Sequence, residues 1–483
     1  MTGVQTCALP IYDVVTYLDA MAPERLDPEA VGAYLESGPE MIRFIADHTP
    51  AKLRHFRGFP DYQPWLEGSL PNGGRSLDND VFPFETLGSA ATRVNPPKTG
   101  VPKLTSRMED KYGGVTPEML EDRKRRDCRG QGQALVGGLF KAVLDRDIPV
   151  LYETRSRSLI TEGKRVVGVV AEGERGEMRI RARKGVVIAT GGFEWNQELV
   201  KTFLRGPMTG PISVPECEGD GLLMAMEVGA SLGNMSNAWW MTSSKESSAT
   251  KARDTRPNYL PSASERAFPG SILVNRYGKR FVDEAMNYNA LGFALHQFDP
   301  DKYEWPNLPY WLIFDANYMR NYRCFTSVAG EAPPSWATTG NTLHELAANT
   351  GIDGDGLAAQ VERFNRDVRN GHDDEFGGGD NNWDHFVGDS SIPAPMSCLG
   401  VIDEAPFYAI KMEAGVNGTC GGPRANGNAQ VLDWTNRPIE GLYVCSNAMA
   451  GVTAGHYGGG GGTLGPGMTF GFIAGRHAAS VKG

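Results

Sequence analysis

Five glycines in a row, Gly458 to Gly462, stand between an apolar run and a helix-forming run, and few folds accommodate that order. Gly441-Leu442-Tyr443-Val444-Cys445-Ser446-Asn447-Ala448 reads as a turn and a short buried strand. Phe470-Gly471-Phe472-Ile473-Ala474-Gly475-Arg476 reads as a helix with a small-residue face, starting just after the loop. The glycines leave the backbone bare, so a flat ligand can approach its N–H groups. A glycine loop feeding a helix N-terminus also offers free N–H groups along the dipole to an anion or a carbonyl. A flexible linker would sit among polar residues, whereas this loop is bracketed by apolar ones.

This stretch resembles the flavin-closing C-terminal segment of the fumarate reductase and 3-ketosteroid dehydrogenase superfamily of FAD enzymes. There the strand ends at an Asn or Glu near the ribityl chain, and the loop and helix start lie over the pyrimidine end of the isoalloxazine. The resemblance assigns Asn447, Thr463, Leu464 and Gly465 to the cofactor. Ser446-Asn447 departs mildly from the family's usual Gly-Asn or Gly-Glu.

A chain of 483 residues allows two or three domains, or one domain with an insertion. Its net charge of −10 speaks against nucleic acid and anionic membranes as partners. No apolar run approaches the roughly 18 residues of a membrane helix. The seven cysteines are scattered without a Cys-x-x-Cys pair, so neither a metal site nor a disulfide framework is expected, and a reducing cytoplasm fits.

Residues Met1 to Ile11 match the translation of a common sequencing-adapter oligonucleotide and are expected to be an artefact, with the natural gene beginning upstream. From Tyr12 the pattern is helical at once, and Pro28 to Ile45 read as one or two amphipathic helices with Val31, Leu35, Met41, Ile42 and Ile45 on the apolar side. Enzymes of the resembled superfamily open instead with a strand, a Gly-x-Gly-x-x-Gly turn and a helix that hold the FAD pyrophosphate. Gly130-x-Gly132 follows a charged run and reads as the start of a helix with a small packing face. The expected fold class is therefore α/β: a Rossmann-like FAD-binding domain, its first βαβ unit missing, with an inserted α+β substrate-capping domain. The FAD domain takes residues 12–241 and 406–483, and the cap takes 242–405.

Within the first part, residues 97–127 read as a charged surface excursion, followed by a helix Gln133–Leu144, a strand Val150–Tyr152 and a hairpin around Arg165–Ala171 and Met178–Ala182. Gly185-Val186-Val187-Ile188-Ala189-Thr190-Gly191-Gly192 reads as a fully buried parallel strand and its ligand-side turn. It is similar to the family's Ala-Thr-Gly-Gly-Phe turn beside the FAD, which assigns Ala189, Thr190, Gly191 and Gly192 to the cofactor. Asp220 is placed to cap a helix Leu222–Val228, and the resemblance has Asp220 and Gly221 close round the cofactor. In the cap, Ser271 to Glu284 read as strand, turn and strand, a superfamily signature, and Thr342–Asn349 and Gly356–Asn370 as helices. Trp239, Trp240 and Met241 are candidates for an apolar pocket wall.

Three positions separate the branches of the superfamily. Fumarate reductases carry an Arg where this chain has Tyr288, a His where it has Gly418 and a second Arg where it has Tyr457. A dicarboxylate needs fixed cations to replace its hydration, so a reductase of α,β-unsaturated acids is the second reading, and a chain inactive without the pyrophosphate unit the third. The same positions resemble 3-ketosteroid Δ1-dehydrogenases, with Tyr288, with Tyr457 followed four residues later by Gly461, and with Tyr62 in a Pro-Asp-Tyr stretch. That resemblance implies that Tyr457 and Gly461 bind a ketone oxygen, that Tyr288, helped by Tyr62, takes an α-proton, and that flavin N5 takes the hydride. An ordinary Tyr titrates near 10, so Tyr288 needs a neighbour to act as a base. Gly458 replaces a Pro common in that family, and His456 adds a titratable group beside the loop Tyr. The expected partners are a small apolar ketone, a steroid being one class, and an electron acceptor.

Overall fold

The computed structural model describes residues 11–97, 101–246 and 256–481, so the expected adapter segment lies outside the described residues except for Ile11. Helices α1 (Ile11–Met21) and α2 (Pro28–His48) come first. Asp27 caps α2 by accepting from the Glu29 and Ala30 N–H groups, and Pro28 occupies a first-turn position where no N–H is needed. α2 is one helix. It buries Val31 and Met41, leaves Leu35, Ile42 and Ile45 half-buried, and packs against the C-terminal helix.

Helix α3 (Gln131–Leu144) bears out the small packing face, since a Cβ at Gly137 or Gly138 would lie 2.7 Å from Phe84 or 2.8 Å from Ala51. Val150–Tyr152 is not a strand. It enters no ladder among the described residues, and all three side chains are exposed. The strands that follow, β1 (Arg155–Glu162), β2 (Arg165–Gly173) and β3 (Gly176–Arg181), form an antiparallel meander. After β4 (Val186–Ile188) comes α4 (Asp220–Glu227). Here Asp220 caps nothing. Gly219, at φ 85°, is the N-cap, and the Asp220 carboxylate takes two hydrogen bonds of 2.6 Å from Arg155 instead.

Strands β5 (Ala238–Lys245), β6 (Tyr259–Pro261), β7 (Ser271–Asn275), β8 (Tyr310–Asp315) and β9 (Phe407–Thr419) form the large sheet, in the order β6-β5-β9-β8-β7. Helices α5 (Tyr288–Leu295), α6 (Leu343–Thr350), α7 (Gly354–Arg369) and α8 (Asn382–Val387) accompany it. α5 approaches β5 closely because residue 292 is glycine, where a Cβ would run into Trp240. The second strand expected before Glu284 reduces to one bridge between Val274 and Arg280. The cause is Arg280, which turns inward and is fully buried, with bonds of 2.9 and 2.6 Å to Glu284 and of 2.9 Å to both oxygens of Asp373. Glu284 in turn accepts the Leu273 N–H at 2.9 Å. This buried ion pair fixes the turn from which α5 starts.

The chain closes with β10 (Gln430–Leu432), β11 (Pro438–Val444) and α9 (Leu464–Ser480). β4 pairs in parallel with β11, as expected, in a three-stranded sheet β10-β11-β4. The expected full burial of β4 is not observed. It is an edge strand among the described residues, and Val187 is 41% exposed. β11 is buried against Phe470 and Ile473 of α9, which bears out the strand–loop–helix reading of the C-terminus.

Candidate active site

Three tyrosines from distant parts of the chain meet beside the glycine segment. Tyr288 is the first residue of α5, held there by Asn287, whose side chain accepts the Ala290 N–H. Tyr62 sits in a loop whose N–H donates to Gly458 O at 3.0 Å, and Gln63 Nε2 donates to Tyr457 O at 3.3 Å. The Tyr17 hydroxyl of α1 lies 2.7 Å from Gln63 Oε1 and 2.8 Å from Gly458 O, tying the same two loops together. The result is a hydroxyl–hydroxyl contact of 3.0 Å between Tyr62 and Tyr288. The Tyr457 ring stacks on Tyr62 at 5.5 Å and meets Tyr288 edge-on at 5.4 Å. Trp383 of α8 packs 4.2 Å from the Tyr62 ring, anchored by its indole N–H on Ala285 O, so α8 supplies part of the wall.

Burial pushes the Tyr288 hydroxyl well above its ordinary value, and the neighbouring Tyr457 and Tyr62 push the same way. Tyr62 is also raised by burial, with its bond to Tyr288 and the charge of Arg107 pulling it back. The resting pair is therefore neutral, and once it loses a proton the bond between the two oxygens shares the remaining charge.

The Tyr457 hydroxyl has a long contact to Thr463 Oγ1, at 3.5 Å, and also bears on the Tyr288 hydroxyl. Gly461 adopts φ +87°, a conformation that favours glycine, and the space a Cβ would take is open. Hydroxyl and loop N–H groups thus remain available to a carbonyl oxygen.

A small, open recess lies alongside, its wall including Trp239, Asn447, Thr453, Gly462, Thr463 and Gly467. The Trp239 indole N–H donates to Asn447 Oδ1 at 3.1 Å. Helix α9 opens onto this recess with no side-chain cap on its N-terminus. Behind it, Gly418 leaves room for Asn447, since a Cβ there would come 2.5 Å from Asn447 Nδ2. Close by, the buried Glu194 accepts the Thr419 N–H with one oxygen and leaves the other without a partner. A bare loop, an uncapped helix start and unfilled amide and carboxyl groups suit the polar, flat edge of a flavin.

The structure brings Tyr62, Tyr288, Tyr457, Gly461, Asn447 and Thr463 together. Leu464 is exposed, and Gly465 packs near the Tyr34 hydroxyl. Ala189, Thr190, Gly191, Gly192, Asp220 and Gly221 lie outside the recess wall at the end of β4, where Gly221 abuts Thr190. Of the three candidate wall residues, Trp239 faces the recess, while Trp240 packs under α5 against His296 at 4.3 Å. Trp383, Gln63 and Tyr17 were not legible beforehand. Gln63 adjoins Tyr62, but no local pattern points to Trp383. Among the described residues no helix is long and apolar enough to cross a membrane, and no cluster of ligating side chains could hold a metal ion.

The family model described as "FAD binding domain" matches residues 6–464. The chain is 36% identical to 4-oxocyclohexanecarboxylate 2-dehydrogenase of Sinomonas cyclohexanicum, over 96% of this chain and 81% of that protein. It is 35% identical to 3-oxosteroid 1-dehydrogenase of Mycobacterium tuberculosis, over 97% of this chain and 87% of that one. Among solved structures, it superposes on 3-ketosteroid delta1-dehydrogenase from Sterolibacterium denitrificans in complex with 1,4-androstadiene-3,17-dione. That match has a TM-score of 0.89 at 32% identity and covers 98% of this chain and 89% of that chain. The mixed helix and sheet architecture is thus that of an FAD-binding flavoenzyme.

Proposed function

The chain belongs to the FAD binding domain family, and from that premise we propose that this FAD-dependent dehydrogenase introduces a C=C bond beside the ketone of an apolar cyclic substrate. The observation that carries the reading is the meeting of Tyr62, Tyr288 and Tyr457 beside the open Gly461 backbone.

Tyr457 Oη and Gly461 N–H bind the ketone oxygen and stabilise the charge that gathers on it as the α-proton leaves. The pair acts as a base once it has lost one proton, with the charge on Tyr62; Tyr288 Oη then receives the α-proton as its own proton passes to Tyr62 Oη, so both hydroxyls are neutral after the step. Arg107 favours negative charge on Tyr62, the outer member of the pair. The aromatic walls, Trp383 and Trp239 among them, exclude water and hold a flat ring system. Asn447, Thr463 and the uncapped start of α9 would hold the flavin. When bound, the flavin supplies the acceptor for the hydride lost from the β-carbon.

A reductase of α,β-unsaturated acids finds less support. Tyr288, Gly418 and Tyr457 occupy the places where such an enzyme needs cations or strong donors. Anaerobic mixing of the FAD-loaded chain with a saturated 3-ketosteroid or a cyclohexanone distinguishes the two. Loss of the oxidised flavin absorbance supports the dehydrogenase. Reoxidation of dithionite-reduced flavin by fumarate, with no response to either ketone, overturns it.

A further inference from the structure

Behind the Tyr457 loop, three basic side chains gather without an acid. The Arg205 guanidinium lies 4.0 Å from the Phe293 ring centroid and 5.6 Å from that of Trp240, and its Nε and Nη2 are shielded from solvent without any acceptor. Phe293 also stacks on His456, with ring centroids 5.3 Å apart and planes at 15°. Arg25, in the turn between α1 and α2, acts electrostatically on both. The other charged or titratable groups that bear on them are the buried Cys420 thiol, acting on Arg205, the His296 ring, on which Arg205 acts, and Arg205 itself, acting on His456; no carboxylate is among them. Burial and these like charges hold His456 below its ordinary value. A shielded guanidinium edge with no acceptor costs more than an ordinary lost hydrogen bond, and a second cation and an imidazole add to that cost. An anion placed among them reverses its sign.

We propose that Arg205, Arg25 and His456 form a binding site for a carboxylate. The guanidinium fork matches a carboxylate in two-point geometry. The site adjoins the catalytic side by two connections. His456 is covalently next to Tyr457, and Asn289, one residue after Tyr288, donates to Gly455 O at 3.0 Å and accepts the Trp240 N–H at 2.9 Å. Two sources can deliver the carboxylate: an acid group on the ketone substrate itself, or a free acid that modulates the Tyr457 loop. The site stands on the cation cluster and does not depend on the dehydrogenase reading.

Cyclohexanecarboxylate, which has no ketone to react, is the probe. Titrated by calorimetry into the FAD-loaded chain, it binds and raises the titration midpoint of the His456 ring protons followed by NMR, because an anion favours the imidazolium. Arg205→Gln weakens that binding by roughly ten- to a hundredfold, and the exposed Arg25→Gln weakens it in the same direction. Arg205→Lys keeps the charge without the fork and recovers part of the affinity, which separates anion binding from lost packing on Phe293. Absence of binding, or equal binding by the native chain and both Gln variants, overturns the proposal. A rise in Arg205→Gln of the KM ratio of 4-oxocyclohexanecarboxylate over 4-methylcyclohexanone assigns the carboxylate to the substrate. An unchanged ratio with weakened calorimetric binding assigns it to a free acid.

Discussion

Tyr62 and Tyr288 meet hydroxyl to hydroxyl at 3.0 Å although 226 residues separate them in the chain. Tyr62 belongs to a loop pinned to the glycine segment, and Tyr288 opens α5. The bond therefore exists only when α5 and the glycine segment are in register. Tyr288→Phe removes the oxygen that takes the proton and is expected to lower kcat by roughly 10²–10⁴-fold, with flavin binding intact. Tyr62→Phe keeps the acceptor and removes its relay, so a smaller loss is expected, with a changed pH–rate profile. Stopped-flow flavin bleaching by a saturated ketone reads both, and native-like bleaching in Tyr288→Phe removes Tyr288 from the chemistry.

Tyr457 serves the opposite end of the reacting bond. Its contact to Thr463 is long, at 3.5 Å, so little is given up when it donates to a ketone. Tyr457→Phe should lower kcat by roughly 10²–10³-fold, the usual cost of losing one oxyanion donor, while the stacking on Tyr62 survives. Gly461→Ala strains a backbone at φ +87° and should act on the same step. If both variants raise KM and leave kcat alone, the carbonyl site lies elsewhere.

How much of this was legible in advance follows from the range over which the information acts. The C-terminal strand, loop and helix are local, fixed by glycines and apolar runs, and the structure has them where expected. Motif positions placed Tyr62, Tyr288 and Tyr457 at one site, and the three rings do meet. What failed depended on neighbours. Val150 to Tyr152 has strand-like residues and no partner strand. Asp220 has the right residue type to cap α4, but Arg155 claims its carboxylate. The inward turn of Arg280 needs Asp373, 93 residues away, before it makes sense. Trp383 and the Arg205 cluster have no sequence signal, because each is defined by what packs against it.

Arg280 tests the link between the turn before α5 and Tyr288. Its guanidinium is fully buried between Glu284 and Asp373. Arg280→Met leaves those carboxylates without a counter-charge, which typically costs about 3–5 kcal/mol. Thermal unfolding should show the loss, and binding of a ketone product should weaken with it as the start of α5 loosens. A stability unchanged from the native chain would mean that the acids find another partner.

Gly418 tests the flavin recess without touching the tyrosines. A Cβ there comes 2.5 Å from Asn447 Nδ2 and 3.6 Å from Glu194 Oε1, so Asn447 has to move and its bond to Trp239 is strained. Overpacking of this kind costs about 1–3 kcal/mol, so Gly418→Ala should weaken FAD binding about tenfold or more in a fluorescence titration. Gly475→Ala, where nothing lies within 4 Å, is the matched control and should bind FAD as the native chain does. Equal affinity in both would place the flavin away from Asn447.

Asp61 gives the site a pH signature in stability. Its carboxyl is 3% exposed, and burial raises it from 3.8 to about 6 although Arg75 and the Leu70 N–H pull the other way. Between those two values the folded chain keeps a proton that the unfolded chain has lost. Folding is therefore favoured most at the acid end of that window and loses stability as pH rises through it, by at most about 3 kcal/mol for a shift of this size. The buried Asp283 and Asp384 are raised as well and act in the same direction, so only a difference measurement isolates Asp61. Asp61→Asn retains an acceptor for Leu70 and has no proton to lose. The stability of the native chain relative to Asp61→Asn should therefore fall between pH 4 and pH 6 and level off above. Because Asp61 neighbours Tyr62, the same window should appear in the affinity for a ketone product. Parallel stability curves for the two proteins across that range would show that the Arg75 pair holds the carboxylate charged throughout.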